Sequence, residues 1–145
     1  MVHVIRTFEV HVNPSVALEY LKDFSHAVEW DPGTVSCERI GDEFAPIEIG
    51  AKWHNVSKLI VISTELEYEL RELQADRIVL RGTNKTATSI DDIRVEPSTA
   101  GSMITYEATV TFNGAAKLTD PLMKLIFLKL AKDLVVDMTK ALEKL

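Results

Sequence analysis

The sequence predicts an α+β fold: a curved antiparallel sheet of about seven strands wrapped around one long C-terminal helix, with two short helices after the first strand. Three observations predict it. Apolar and polar residues alternate along most of the chain up to Phe112. The run after Asn13 breaks that alternation with a helix-start signal. From Pro121 to Leu145 there is no glycine and no further proline, and the apolar residues recur at helical spacing.

The first strand is Val2 to Val12. Val2, Val4, Phe8, Val10 and Val12 share one face with Arg6, while His3, Thr7, Glu9 and His11 lie opposite and Ile5 is the exception. Alternation of period two marks a half-buried strand. In "NPSVALEYLKDF" the period changes. Asn13 can cap a helix and Pro14 suits its first turn. Val16, Tyr20, Leu21 and Phe24 fall on one apolar stripe. The helical region is expected to break near Ser25 and to end before Trp30, leaving Trp30, Asp31 and Pro32 in a loop.

Strands resume at Thr34 to Ile40 and continue at Ala51 to Lys58, Thr64 to Leu73, Arg77 to Thr83, Thr88 to Glu96 and Met103 to Phe112. In the third of these Leu66, Tyr68 and Leu70 face one way and Glu65, Glu67, Glu69 and Arg71 the other, so the charged face belongs in water. Strands joined by short polar turns pair antiparallel. At the end, Asp120 is a good cap with Pro121 at the first helical position. A helix of this length runs about 37 Å at roughly 1.5 Å per residue. Met123, Phe127, Leu130, Leu134, Met138 and Leu142 make one seam, widened by Leu122, Leu125, Ile126 and Val136. Only this helix is long enough to cover the apolar face of the sheet. A twisted sheet curling around a single helix is not filled by it, so an internal cavity is expected, open where the short helices and loops meet the sheet.

The length of 145 residues fits one domain spanning 1–145. A net charge of −6 and a pI near 5.2 argue against a nucleic-acid partner and against simple docking on anionic membranes. Cys37 is the only cysteine, so no internal disulfide forms and cytoplasmic residence is the natural reading. The N-terminus reads as a strand and not as a signal peptide. "PLMKLIFLKLAKDLVV" is interrupted by Lys124, Lys129, Lys132 and Asp133, so no stable membrane insertion is expected.

Three segments carry a family resemblance: "FEVHVNPSVALEYLKDFSHAVEWDPGTV", "DDIRVEPSTAGSMITYEATVTFNG" and "LTDPLMKLIFLKLAKDLVVDMTKALEKL". In order and spacing the chain resembles the START-like helix-grip (SRPBCC) superfamily, close to its polyketide cyclase/dehydrase and lipid-transport branch. The resemblance covers nearly the whole chain. It implies a helix-grip fold with an internal pocket for a small hydrophobic ligand. It does not imply one activity, because members include lipid carriers, cyclases and plant hormone receptors. The family often has a glycine at the turn between its third and fourth strands. Here Leu59 to Ile62 stand instead, either as buried strand or as an exposed apolar turn at the pocket mouth or in a subunit contact, as in a homodimer.

The expected ligand-binding residues are Arg6, Trp30, Trp53, Tyr68, Ser89, Asp91, Tyr106, Ile126 and Leu130. Trp30 with Pro32 reads either as a loop anchor packed on the first helix or as an aromatic wall gating the entrance. Ser89 and Asp91 share a face with Ile93 and Val95, and an inward carboxylate must be paired, protonated or wet. Arg6, Asp91, Tyr68 and Tyr106 would then orient a ligand; alternatively Arg6 and Asp91 sit at strand ends and reach solvent. Asp133 reads as part of a solvated edge with nearby lysines, or as an acid projecting into the cavity for proton transfer. His3, His11, His26 and His54 are scattered, so no metal site is expected, and no cofactor is called for. Cys37 reads as a small core residue. The leading function is binding or transport of a small hydrophobic molecule such as a lipid, polyketide-like or isoprenoid compound. The alternative is polyketide cyclase/aromatase or dehydratase chemistry by acidic residues in the same cavity.

Overall fold

The computed structural model describes residues 1–145. The strands are β1 (Val2–Val10), β2 (Thr34–Arg39), β3 (Lys52–Leu59), β4 (Ile62–Gln74), β5 (Arg77–Thr83), β6 (Ala87–Pro97) and β7 (Ser102–Phe112). The helices are α1 (Pro14–Leu21), α2 (Ala27–Trp30) and α3 (Asp120–Glu143). A 3-10 turn at Phe24–His26 links α1 to α2, and another at Gly114–Thr119 leads into α3. The seven strands form one sheet in the order β1-β7-β6-β5-β4-β3-β2, every pair antiparallel. Strands β2 to β7 are a meander, and β1 joins its far edge because α1 and α2 carry the chain across the concave side. The helix α3 lies over that side against β1 and α2.

The period-two reading holds in β6 and β7. Ala87, Ser89, Asp91, Ile93 and Val95 are buried along β6, and Ile104, Tyr106, Ala108 and Val110 along β7, with outward neighbours that are polar except Ile90 and Met103. Five details differ from the sequence reading. Val16 is exposed, and Ala17 and Leu21 form the buried face of α1. That helix stops at Leu21 because Asp23 caps the following 3-10 turn, its carboxylate accepting from the Ser25 amide at 3.1 Å. Trp30 lies inside α2 and not after it. On α3, Leu122, Leu125 and Val136 face outward, and Ala131 and Ala141 join Met123, Ile126, Leu134, Met138 and Leu142 on the buried face. Asp120 occupies the first turn of α3, where it pairs with the Met1 ammonium; Thr119 holds the cap position.

The stretch left open by the sequence is a tip. Leu59 pairs with Ile62, and Ile60 and Val61 turn the chain between β3 and β4 with both side chains exposed. Ile60 adopts φ 64°, a left-handed conformation that costs a β-branched residue about 1–2 kcal/mol.

Candidate functional site: a cavity between sheet and helix

The core has two packed groups. The larger one centres on the closed end, where Leu21, Phe24, Trp30, Trp53, Leu70, Ile78, Leu80, Ile93, Ile104, Met138 and Leu142 are fully enclosed. A smaller one near the start of α3 joins Val2, Ala87, Val110, Met123 and Ile126. Between them lies a cavity of about 300 Å³. Cores packed to crystal density rarely leave a void larger than a water molecule, so this vacancy is a feature of the fold. Its floor is formed by Val4 of β1, Tyr106, Ala108 and Val110 of β7, and Leu66 of β4; its roof by Met123, Phe127, Leu130, Ala131 and Leu134 of α3. The more exposed lining residues, Ser63, Thr86 and Thr119 with half-buried Leu59, Ile62 and Ala116, surround the opening.

Polar groups gather at the inner end. Asp91 lies mid-strand and buried, so it does not reach solvent at a strand end. The Tyr106 hydroxyl donates to its Oδ2 at 2.9 Å and the Ser89 hydroxyl to its Oδ1 at 3.1 Å. Burial pushes the Asp91 carboxyl up to about 7; the Tyr106 hydrogen bond pulls it back and the nearby Asp31 charge pushes it further. Both Tyr68 and Tyr106 are raised well above the ordinary phenol value, chiefly by burial.

Asp31 supplies a second carboxylate to the lining. It accepts from the Gly33 amide at 3.2 Å and from the Thr34 hydroxyl at 2.7 Å. Thr34 in turn accepts from the Asn55 amide at 3.1 Å, and Asn55 accepts from the Ser57 hydroxyl at 2.6 Å. This chain links β2 to β3 and satisfies the buried Asn55 and Ser57. Burial raises Asp31 too, and Asp137 of α3 adds to the effect.

Tyr68 reaches this end because β5 yields to it. Gly82 stands between Tyr68 and Ser89 in the sheet register. A Cβ at Gly82 would lie 2.6 Å from Tyr68 Cζ, so the ring crosses β5 directly over the glycine and carries its hydroxyl toward β6.

Of the sequence-predicted site residues, the structure places Tyr68, Ser89, Asp91, Tyr106 and Leu130 on the cavity wall. Arg6, Trp30, Trp53 and Ile126 are not on it. The Arg6 guanidinium folds back to donate to the Ile5 carbonyl at 2.7 Å. Trp30 and Trp53 are fully buried behind the cavity, where Phe24 packs edge-on to both and lies 4.5 Å from the Tyr68 ring centre. Trp30 meets Tyr106 at 6.1 Å, so it backs a wall residue and does not border the cavity itself. Ile126 belongs to the small packed group. Asp133 is paired with Lys129 at 2.8 Å on the outer side of α3 and does not project into the cavity.

Asp31, Ser57, Phe127 and Leu134 line the cavity and Gly82 makes room for Tyr68, and the sequence reading misses all five. Asp31 has a signal, since Asp-Pro-Gly-Thr reads as a side chain bonding its own turn. Phe127 and Leu134 are on the apolar seam of α3, but the seam does not say which of its members border a void.

A family model described as polyketide cyclase / dehydrase and lipid transport matches residues 1–145. The chain belongs to that family. No individually curated protein matches it at a significant level. Solved structures share the family's fold. A START superfamily protein from Mycobacterium smegmatis superposes with a TM-score of 0.79 at 12% identity, covering 98% of this chain and 97% of its own. A protein from Thermus thermophilus gives a TM-score of 0.75 at 12% identity, with 96% and 94% covered. The ZhuI aromatase/cyclase from a Streptomyces species gives 0.73 at 12% identity, with 98% and 91% covered. The structure therefore has the helix-grip START fold, and no helix in it is long and apolar enough to cross a membrane.

Proposed function

We propose that this member of the family binds a small apolar molecule in the cavity under α3, with Asp91, Tyr68 and Tyr106 orienting one polar end. The vacancy of about 300 Å³ in an otherwise close-packed core carries this reading. That size and a mostly apolar wall with a few convergent polar groups suit a small-molecule site. A two-ring ligand burying on the order of 250 Å² of apolar surface gains roughly 6 kcal/mol before the costs of association. Tyr68, Ser89, Asp91, Tyr106 and Leu130 contact the ligand, and Trp30 and Trp53 stiffen the wall behind it. Equilibrium dialysis against 1-methylnaphthalene tests the reading. One equivalent is retained per chain, and a protein with Ala108→Phe, which fills the floor, retains none. Equal retention by both proteins would contradict it.

One observation favours a second reading. A carboxyl held to about 7 beside a tyrosine hydroxyl can give and take a proton near neutrality. That chemistry would serve a cyclase or dehydratase, and the related folds include an aromatase/cyclase. In this reading Asp91 exchanges the acidic α-protons of a β-diketone bound in the cavity. Catalysed deuterium exchange that disappears in Asp91→Asn supports it; exchange equal in both proteins refutes it.

A further inference from the structure

The inner end of the cavity offers acceptors and almost no free donors. The Tyr106 and Ser89 hydroxyl protons point at Asp91. The Thr34 proton points at Asp31, and the Ser57 proton at Asn55. No lysine, arginine or histidine lines the cavity, whose only ionisable side chains are Asp31, Asp91, Tyr68 and Tyr106. The Tyr68 residue is nine-tenths buried, and its ring is aimed over Gly82 so that its hydroxyl faces that of Ser89.

A ligand must complement this inventory. A carboxylate would bring a third negative charge beside Asp31 and Asp91 with no cation to offset it, and like charges in a desolvated site repel strongly. A bare hydrocarbon would leave the two carboxylates with hydrogen bonds but no counter-charge. We propose that the cavity selects an apolar molecule bearing a protonated amine, its ammonium donating to Asp91 and to the Tyr68 hydroxyl while Asp31 adds a second negative charge nearby. This selectivity rests on the binding function proposed above and narrows it to a ligand class. Aromatic rings support the same choice. Tyr68, Tyr106 and Phe127 border the space, and a cation is attracted to ring faces within about 6 Å. An ammonium would also offset the desolvation of buried Asp91 and half-buried Asp31, which otherwise favours their neutral forms.

A matched naphthalene series tests this by equilibrium dialysis at pH 7.5: 1-naphthylmethylamine, 1-naphthylmethanol, 1-methylnaphthalene and 1-naphthoate. The amine is expected to bind about tenfold or more tightly than the hydrocarbon, the range a desolvated charge pair commonly gives. The alcohol falls between them, and the naphthoate binds at least about tenfold more weakly than the hydrocarbon. In Asp91→Asn the ratio of amine to hydrocarbon affinity drops toward one. Naphthoate binding as tightly as the amine, or an amine preference that survives Asp91→Asn, would overturn the inference while leaving the apolar site standing. Failure of all four compounds, the hydrocarbon included, would remove the binding function itself and the inference with it.

Discussion

Replacing Asp91 with asparagine should change how stability depends on pH. The folded protein holds the Asp91 proton more tightly than the unfolded chain does, because burial raises its carboxyl from the ordinary 3.8 to about 7. Below about pH 3 the group is protonated in both states and costs nothing. As pH rises toward 7 the unfolded chain releases the proton first, so stability falls. A displacement of that size corresponds to on the order of 4 kcal/mol lost across the interval, a large share of the roughly 5–15 kcal/mol of a typical domain. The asparagine side chain cannot ionise and keeps the shape. Urea unfolding of both proteins at about pH 4.5, 6 and 8 isolates the effect, because Asp31 and the surface acids remain in each. The stability difference in favour of Asp91→Asn should grow by about 3–4 kcal/mol from the lowest to the highest pH, equivalent to roughly 10 °C in Tm for a chain of this size. A difference that stays constant with pH would mean that Asp91 ionises as it does in water, and the description of the inner end as desolvated would be wrong.

Gly82→Ala should drive the Tyr68 ring off β5, since the new methyl would sit 2.6 Å from Cζ. We expect a stability loss of about 1–3 kcal/mol and weaker retention of 1-naphthylmethylamine; full affinity with unchanged stability would show that the ring does not depend on the glycine. Ile60→Asn relieves the positive φ at the β3–β4 tip and should raise the urea midpoint by about 1 kcal/mol of stability. A lower midpoint would mean that the exposed isoleucine makes a contact absent from this conformation.

Most of the fold is legible in the sequence because alternation and helical spacing are local. The pattern alone places β5 at Arg77 to Thr83, its observed span. The inward pointing of Ser89 and Asp91 follows from period two alone, as does that of Tyr68 and Tyr106. The errors concern what burial does at longer range. Trp30 and Trp53 look like cavity walls by size and type, but their position is set by the packing of Phe24 between them. The seam of α3 looks wider in the sequence than it is because the outward Leu122 and Leu125 carry the same composition as the inward leucines. Arg6 shares the inward face by period, yet its long side chain turns back to the main chain, an option that spacing cannot forbid. Gly82 carries no specific signal: a glycine within a strand announces a close approach but does not name what approaches.

Binding at this site requires the space between the two packed groups to be empty of protein and reachable from outside. Crystals of the protein pressurised with xenon test this directly, because apolar space takes up the gas without any polar contact. Electron density for xenon among Leu66, Ala108, Phe127 and Leu134 is the predicted result. An interior with no xenon, or with the Phe127 and Leu130 side chains filling that volume, would contradict it.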